Sequence, residues 1–192
     1  MAEPTLHAMH IAMAEKGKQS ALAHRHDEAL RLYRDAIRLA VSAKAPEVFF
    51  RHYSQCVMES LELTGQLDEV AHFCREADAH YRGLAVDSAL HRKDHGSLLE
   101  RLGAVLLKQG DAPAARQALE QATALAGKGV LPLAEQLLQW LSRGLNCNAQ
   151  QVLQAQRRHQ YFVVRPGAVN EALARVAPAA LPKGLNPQAA FA

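Results

Sequence analysis

Between Leu99 and Ala122 the chain runs LERLGAVLLKQGDAPAARQALEQA, and this stretch constrains the fold more than any other. Leu99, Leu102 and Leu106 recur at helical spacing, Ala115, Leu119 and Ala122 do so again, and Gly110-Asp111 interrupts the pattern between them. Two amphipathic helices joined by a tight turn follow from that spacing. Small residues stand where two backbones must approach and large apolar ones where the helices interlock. Gly103 is therefore expected to permit close helix packing, and Gly110 to occupy the turn at positive φ.

The rest of the chain varies this theme. Leu6, Met9, Met13, Ala21 and Leu22 mark a first helix, and His26-Asp27-Glu28 opens a second, EALRLYRDAIRLAV. After Ala43-Lys44-Ala45-Pro46, EVFFRHYSQCVMESLEL leads through Thr64-Gly65-Gln66 into LDEVAHFCREADAHY. Beyond Gly127-Lys128-Gly129, PLAEQLLQWLSRGL starts on Pro132, a residue suited to a first helical turn, and AQQVLQAQRRHQ predicts one more helix. Tyr161 to Arg165, YFVVR, is the one strongly β-prone run and is expected to be extended, with Pro166-Gly167 ending it. A short helix is expected from Ala168 to about Ala177. The Ala/Pro-rich PAALPKGLNPQAAFA that follows lacks periodicity and is expected to be disordered in isolation.

The order Leu99, Leu102-Gly103, Leu106, Gly110, Ala115, Leu119, Ala122 resembles the tetratricopeptide repeat (TPR), with Ala112 as the main departure. On the same frame the first hairpin sets Gly17 at position 8, Ala29 at 20, Tyr33 at 24 and Ala36 at 27, with His24 in place of the glycine at 15. The second sets Gly65 at 15, Val70 at 20, Cys74 at 24 and Ala77 at 27, with Met58 where glycine is usual. Like positions lie 41 residues apart (Ala36 to Ala77) and 45 apart (Ala77 to Ala122). Both exceed the family's 34, and the surplus is expected to lengthen helices. The resemblance implies an all-α, TPR-like solenoid of about three helical hairpins, covering residues 1–145 and closed by a capping helix from Pro132. Residues 146–165 then hold an additional helix and the extended segment, and 166–192 a short helix and the tail.

Composition agrees with helix: 49% of residues are hydrophobic, yet aromatics are only 5% and Val and Ile are too sparse for a sizeable sheet. Charge is unevenly placed. Residues 1–142 hold 16 Lys and Arg against 18 Asp and Glu, whereas 143–192 hold 6 against 1. A mildly acidic body with a basic tail can steer encounter with an acidic surface, but it falls far short of a nucleic-acid-binding arm. Cys56, Cys74 and Cys147 are odd in number, widely spaced and without a CxxC, so no disulfide framework is expected. The N-terminal stretch has no basic segment leading into an apolar one, and no apolar run approaches the roughly 20 residues of a membrane helix. A cytoplasmic protein away from membranes is the expectation.

Ten histidines raise a metal hypothesis, with His91 and His95 at i, i+4, His24 beside His26 and His7 near His10. No HExxH or complete ligand set accompanies them, so no metal or cofactor is expected. Cys74 occupies a position that packs inward in the resembled fold. Cys56 falls on a groove position, but no pattern pairs it with an activating base. No phosphate loop, dinucleotide fingerprint or catalytic triad signature is present, and no enzyme is expected.

The resemblance further implies a groove lined by the first helix of each hairpin. It carries over onto Lys18, onto His52, Gln55, Cys56, Glu59 and Glu62, and onto Ser97, Glu100, Arg101 and Lys108. A carboxylate clamp is not expected: residues 1–145 contain no asparagine, and only Arg101 falls on a clamp position. A second contact is expected from the basic, apolar C-terminal segment, through Arg157, Arg158, Tyr161, Phe162 and Arg165, unless YFVVR packs back on the helices. The function the resemblance implies is a protein-binding adaptor, chaperone or assembly and maintenance factor for a larger complex such as a metalloenzyme. The alternatives are a nucleic-acid-associated or signalling regulator and a histidine-based metal carrier.

Overall fold

A computed structural model describes residues 5–85, 88–145, 147–179 and 181. Among these the chain is all-α, with no strand. The expected disordered tail lies mostly outside the described residues. No described helix is long and apolar enough to cross a membrane. Contacts divide the chain into two compact units, residues 1–64 with 163–192, and residues 65–162. The division does not follow chain order, because the second unit is inserted into the first.

The first unit contains α1 (Leu6–Leu22), α2 (His26–Ser42), α3 (Glu47–Leu63) and the short α9 (Glu171–Arg175). Thr5 caps α1, its hydroxyl accepting the Ala8 N–H at 3.2 Å. Helix α1 packs on α2, α2 on α3, and α9 on α1. The core is Met13, Ala14, Leu32, Ala36, Leu39, Ala40 and Tyr53, continued by Ala21, Ala29, Tyr33 and Cys56. Gly17 lets the two helices approach: a Cβ there would lie 2.6 Å from the Tyr33 ring.

The second unit contains α4 (Leu67–Gly83), α5 (Ala89–Gln109), α6 (Ala112–Ala126), α7 (Pro132–Ser142) and α8 (Ala149–Arg158). Helix α5 is central, packing on α4, α6, α7 and α8. Leu99, Leu119, Leu133 and Leu137 are fully buried. Ser88 caps α5, Asp111 caps α6, and an Asn148/Gln151 capping box starts α8. At the α5–α6 turn Gly110 has φ 85°, and the Asp111 N–H returns to the Leu106 carbonyl at 2.9 Å. Both expectations for the glycines of this hairpin hold, since Gly103 faces Leu119 so closely that a Cβ would fall 2.5 Å from its Cγ.

Helices α1 to α4 are each 17 residues long and α5 is 21. The turns after α1, α3 and α5 share one geometry, with His24 at φ 59°, Gly65 at 80° and Gly110 at 85°. The short helix expected from Ala168 is confined to α9, where Asn170 caps by accepting the Leu173 N–H at 3.2 Å.

Candidate functional site

The residues assigned to a groove divide between the two units. In the first unit, α1 brings Glu15 and Lys18 to one face and α3 brings His52, Gln55, Cys56 and Glu59. The Lys18 ammonium donates to Glu15 Oε1 at 2.7 Å, and both side chains are largely shielded from water. The His52 pKa is lowered, first by burial and then by the positive Lys18, against the opposing pull of Glu15. Glu59 is only 2% exposed and Glu62 is also buried, while Gln55 is half-buried.

The returning chain lies on this face. The Val163 N–H donates to Glu59 Oε1 at 2.5 Å and the Val164 N–H to Oε2 at 3.1 Å. Seven residues on, the Asn170 N–H donates to Glu15 Oε2 at 2.7 Å. The Val163 and Val164 side chains pack on the Ala21, Ala29, Tyr33 and Cys56 cluster. Between the two anchor points Pro166 and Gly167, the latter at φ 83°, turn the chain, and the Ala168 N–H closes the turn on the Arg165 carbonyl at 3.0 Å. A buried carboxylate is costly unless its oxygens are satisfied, and charge-assisted bonds to backbone amides are among the stronger ways of satisfying them. Two acids from different helices thus read the backbone of an extended segment while an apolar floor takes its side chains.

Cys56 requires a correction. An imidazole is within reach, because His52 Nε2 lies 4.0 Å from Sγ one helical turn away. The spacing i, i+4 carried that signal in the sequence. The thiol has no exposed surface, whereas the imidazole is partly exposed.

In the second unit Glu100 is 7% exposed, and its carboxylate accepts the Ala134 N–H at 2.8 Å. Leu131, which precedes α7, has no side-chain cap to offer, so Glu100 caps that helix from α5. Burial raises the Glu100 pKa to about 7 against the opposing pull of the amide and Arg101. Arg101 is also buried, with its guanidinium 4.7 Å from the centroid of the Tyr161 ring. Lys108 is half-buried, Ser97 likewise. Of the expected arm, Arg157 and Arg158 are exposed at the end of α8 and Arg165 is exposed. Tyr161 lies against Arg101, and Phe162 is 9% exposed, so these two rings are packed in the fold.

Several histidines have structural partners. His10 is fully buried, with Nδ1 2.8 Å from the Tyr53 hydroxyl and Nε2 3.1 Å from His7 Nδ1. Burial and then His7 lower its pKa to about 4. His95 Nε2 lies 2.7 Å from Asp78 Oδ1, and its ring stacks on Tyr81 with centroids 4.9 Å apart. Arg82 also reaches Asp78, at 2.9 Å. Burial pushes the Asp78 carboxyl up, but His95 and Arg82 outweigh it and hold the pKa below its ordinary value. Among the described residues no three His, Cys, Asp or Glu side chains form a group that could hold a metal ion.

Glu15 is the site residue that the sequence reading passed over. The repeat frame that puts Cys56 at position 6 of the second hairpin puts Glu15 at position 6 of the first. No known family, curated protein or solved structure matches this chain.

Proposed function

We propose that this chain is a TPR-like helical scaffold, without enzymatic activity, that binds an extended segment of another protein as an adaptor, chaperone or assembly factor. The observation that carries this reading is the face of α1 and α3, where Glu59 and Glu15 hold backbone amides of an extended stretch above an apolar floor. Five of the six residues named on that face, Lys18, His52, Gln55, Cys56 and Glu59, stand on positions that the TPR resemblance assigned to a groove. Glycines that abut the position-24 residues Tyr33 and Leu119 support the same frame. Preformed helical faces suit recognition of extended peptides, with main-chain bonds giving affinity and side-chain packing giving specificity.

Affinity purification of the intact chain from its native cells, beside a His52→Ala/Gln55→Ala variant, tests the reading. A stoichiometric protein that co-elutes with the former and is depleted from the latter is the expected result. Recovery of nucleic acid released by salt, or of the same proteins by both forms, would count against it.

A further inference from the structure

The segment from Val163 to Asn170 meets the face of α1 and α3 as a bound peptide would. It presents two consecutive amides to one carboxylate, places two β-branched side chains on an apolar floor, turns at Pro166-Gly167, and gives a third amide to a second carboxylate. Sheet edges or helix ladders do not satisfy the Val163 and Val164 amides; side-chain carboxylates do. A carboxylate selects no particular amino acid when it accepts a backbone N–H, so another chain of the same chemistry can make the same bonds. Glu59 is 2% exposed with the segment in place, so an occupant that supplies the same two amides keeps bonds that simple emptying gives up.

We propose that this face is a peptide seat occupied in cis by residues 163–170, and that a partner's extended segment of like chemistry displaces them. Such a segment has two adjacent β-branched apolar residues with free amides, followed by a basic residue and a Pro-Gly turn. The inference rests on the protein-binding reading above and adds the recognition mode and a gate. The charge is complementary, because the seat contributes the Glu59 and Glu15 carboxylates with Lys18 offsetting one of them, while the segment carries Arg165 and no acid. Tethering gives the internal segment an effective concentration that a free peptide must overcome, so weakening the internal contact should strengthen binding of the external one.

The test uses a dye-labelled peptide, VVRPGAVN, copied from residues 163–170, and the full chain in three forms: unmodified, Val163→Pro and Val164→Pro. Each substitution removes one amide donor to Glu59 while leaving the seat itself unaltered. Fluorescence anisotropy should show the peptide binding the proline variants about tenfold or more tightly than the unmodified chain. Adding Glu59→Gln to either variant should weaken binding again. Hydrogen exchange on the unmodified chain supplies a second readout that no folding defect can confuse. Excess unlabelled peptide should speed exchange at the Val163 and Val164 amides and leave α1 and α3 protected. Equal peptide affinity in all three forms, or unchanged exchange at residues 163–164, overturns the proposal. If a cellular partner is captured by the unmodified and Val163→Pro chains alike and the peptide does not compete with it, protein binding stands and the seat fails.

Discussion

A Cβ on Gly103 would lie 2.5 Å from Leu119 Cγ and 2.7 Å from its Cδ2, with the Ala115 carbonyl at 3.3 Å behind. Leu119 is fully buried and has nowhere to retreat, so even one methyl must spread α5 from α6. Gly103→Ala should lower stability by about 1–3 kcal/mol and Gly103→Leu by more, read as a shift in the urea midpoint with unchanged slope. A stability equal to the parent's would mean that the hairpin register is wrong. His10 makes a different kind of prediction. Its folded pKa is about 4, against an ordinary value of 6.5. Between those values the unfolded chain binds a proton that the folded chain refuses, so its contribution to stability is complete above pH 6.5 and is lost as pH falls towards 4. The loss is on the order of 3 kcal/mol. Denaturation at pH 7 and pH 4.5 should show it, and His10→Gln, which keeps a polar partner for Tyr53, should flatten that dependence.

At the level of the helix, the ends show how far local sequence governs this fold. Ser88, Asp111, Asn148 and Asn170 each cap the helix that follows, and a reader of the sequence can find all four. Helix α7 cannot be read that way, because its cap comes from Glu100, 34 residues upstream. The repeat frame assigned Glu100 to a binding groove; tertiary packing instead aims its carboxylate at a helix N-terminus. The cap has a pH-dependent cost. With a folded pKa of about 7 against an ordinary 4.5, Glu100 binds a proton in the folded chain that the unfolded chain releases, so stability declines as pH rises through that interval. Glu100→Gln keeps an oxygen for the Ala134 N–H and removes the buried charge. Its urea midpoint should exceed the parent's at pH 8, by roughly 1–3 kcal/mol in stability, and match it at pH 4.5. A loss at pH 8 would show that the charge itself holds α7.

The two compact units differ in how they are assembled from the chain. Helical class and the hairpin turns were legible because they depend on residues a few places apart. The seat on α1 and α3 was not, since Glu59 meets Val163 and Val164 across more than a hundred residues, and no periodicity records such a meeting. YFVVR carried two readings for the same reason: its apolar, β-prone character indicates that it must be covered without saying by what. Residues 65–162 form one continuous unit that includes every helix packed around α5. Expressed alone, they should be helical by circular dichroism and melt in one cooperative transition. Residues 1–64 lack part of their own unit. Without the returning segment, Glu59 loses two amide donors, Glu15 loses one, and the cluster around Tyr33 and Cys56 loses two valines. Glu15 keeps its bond to Lys18, so the loss falls on the Glu59 amide bonds and the valine packing, each lost hydrogen bond worth on the order of 1 kcal/mol, a sizeable share of what so small a unit has to spare. Residues 1–64 alone should therefore melt broadly and early, and a synthetic peptide spanning residues 163–179 should raise their melting temperature in a concentration-dependent way. If residues 1–64 melt sharply and the peptide changes nothing, Glu59 and Glu15 are satisfied by water, and the returning segment is a passenger on that face.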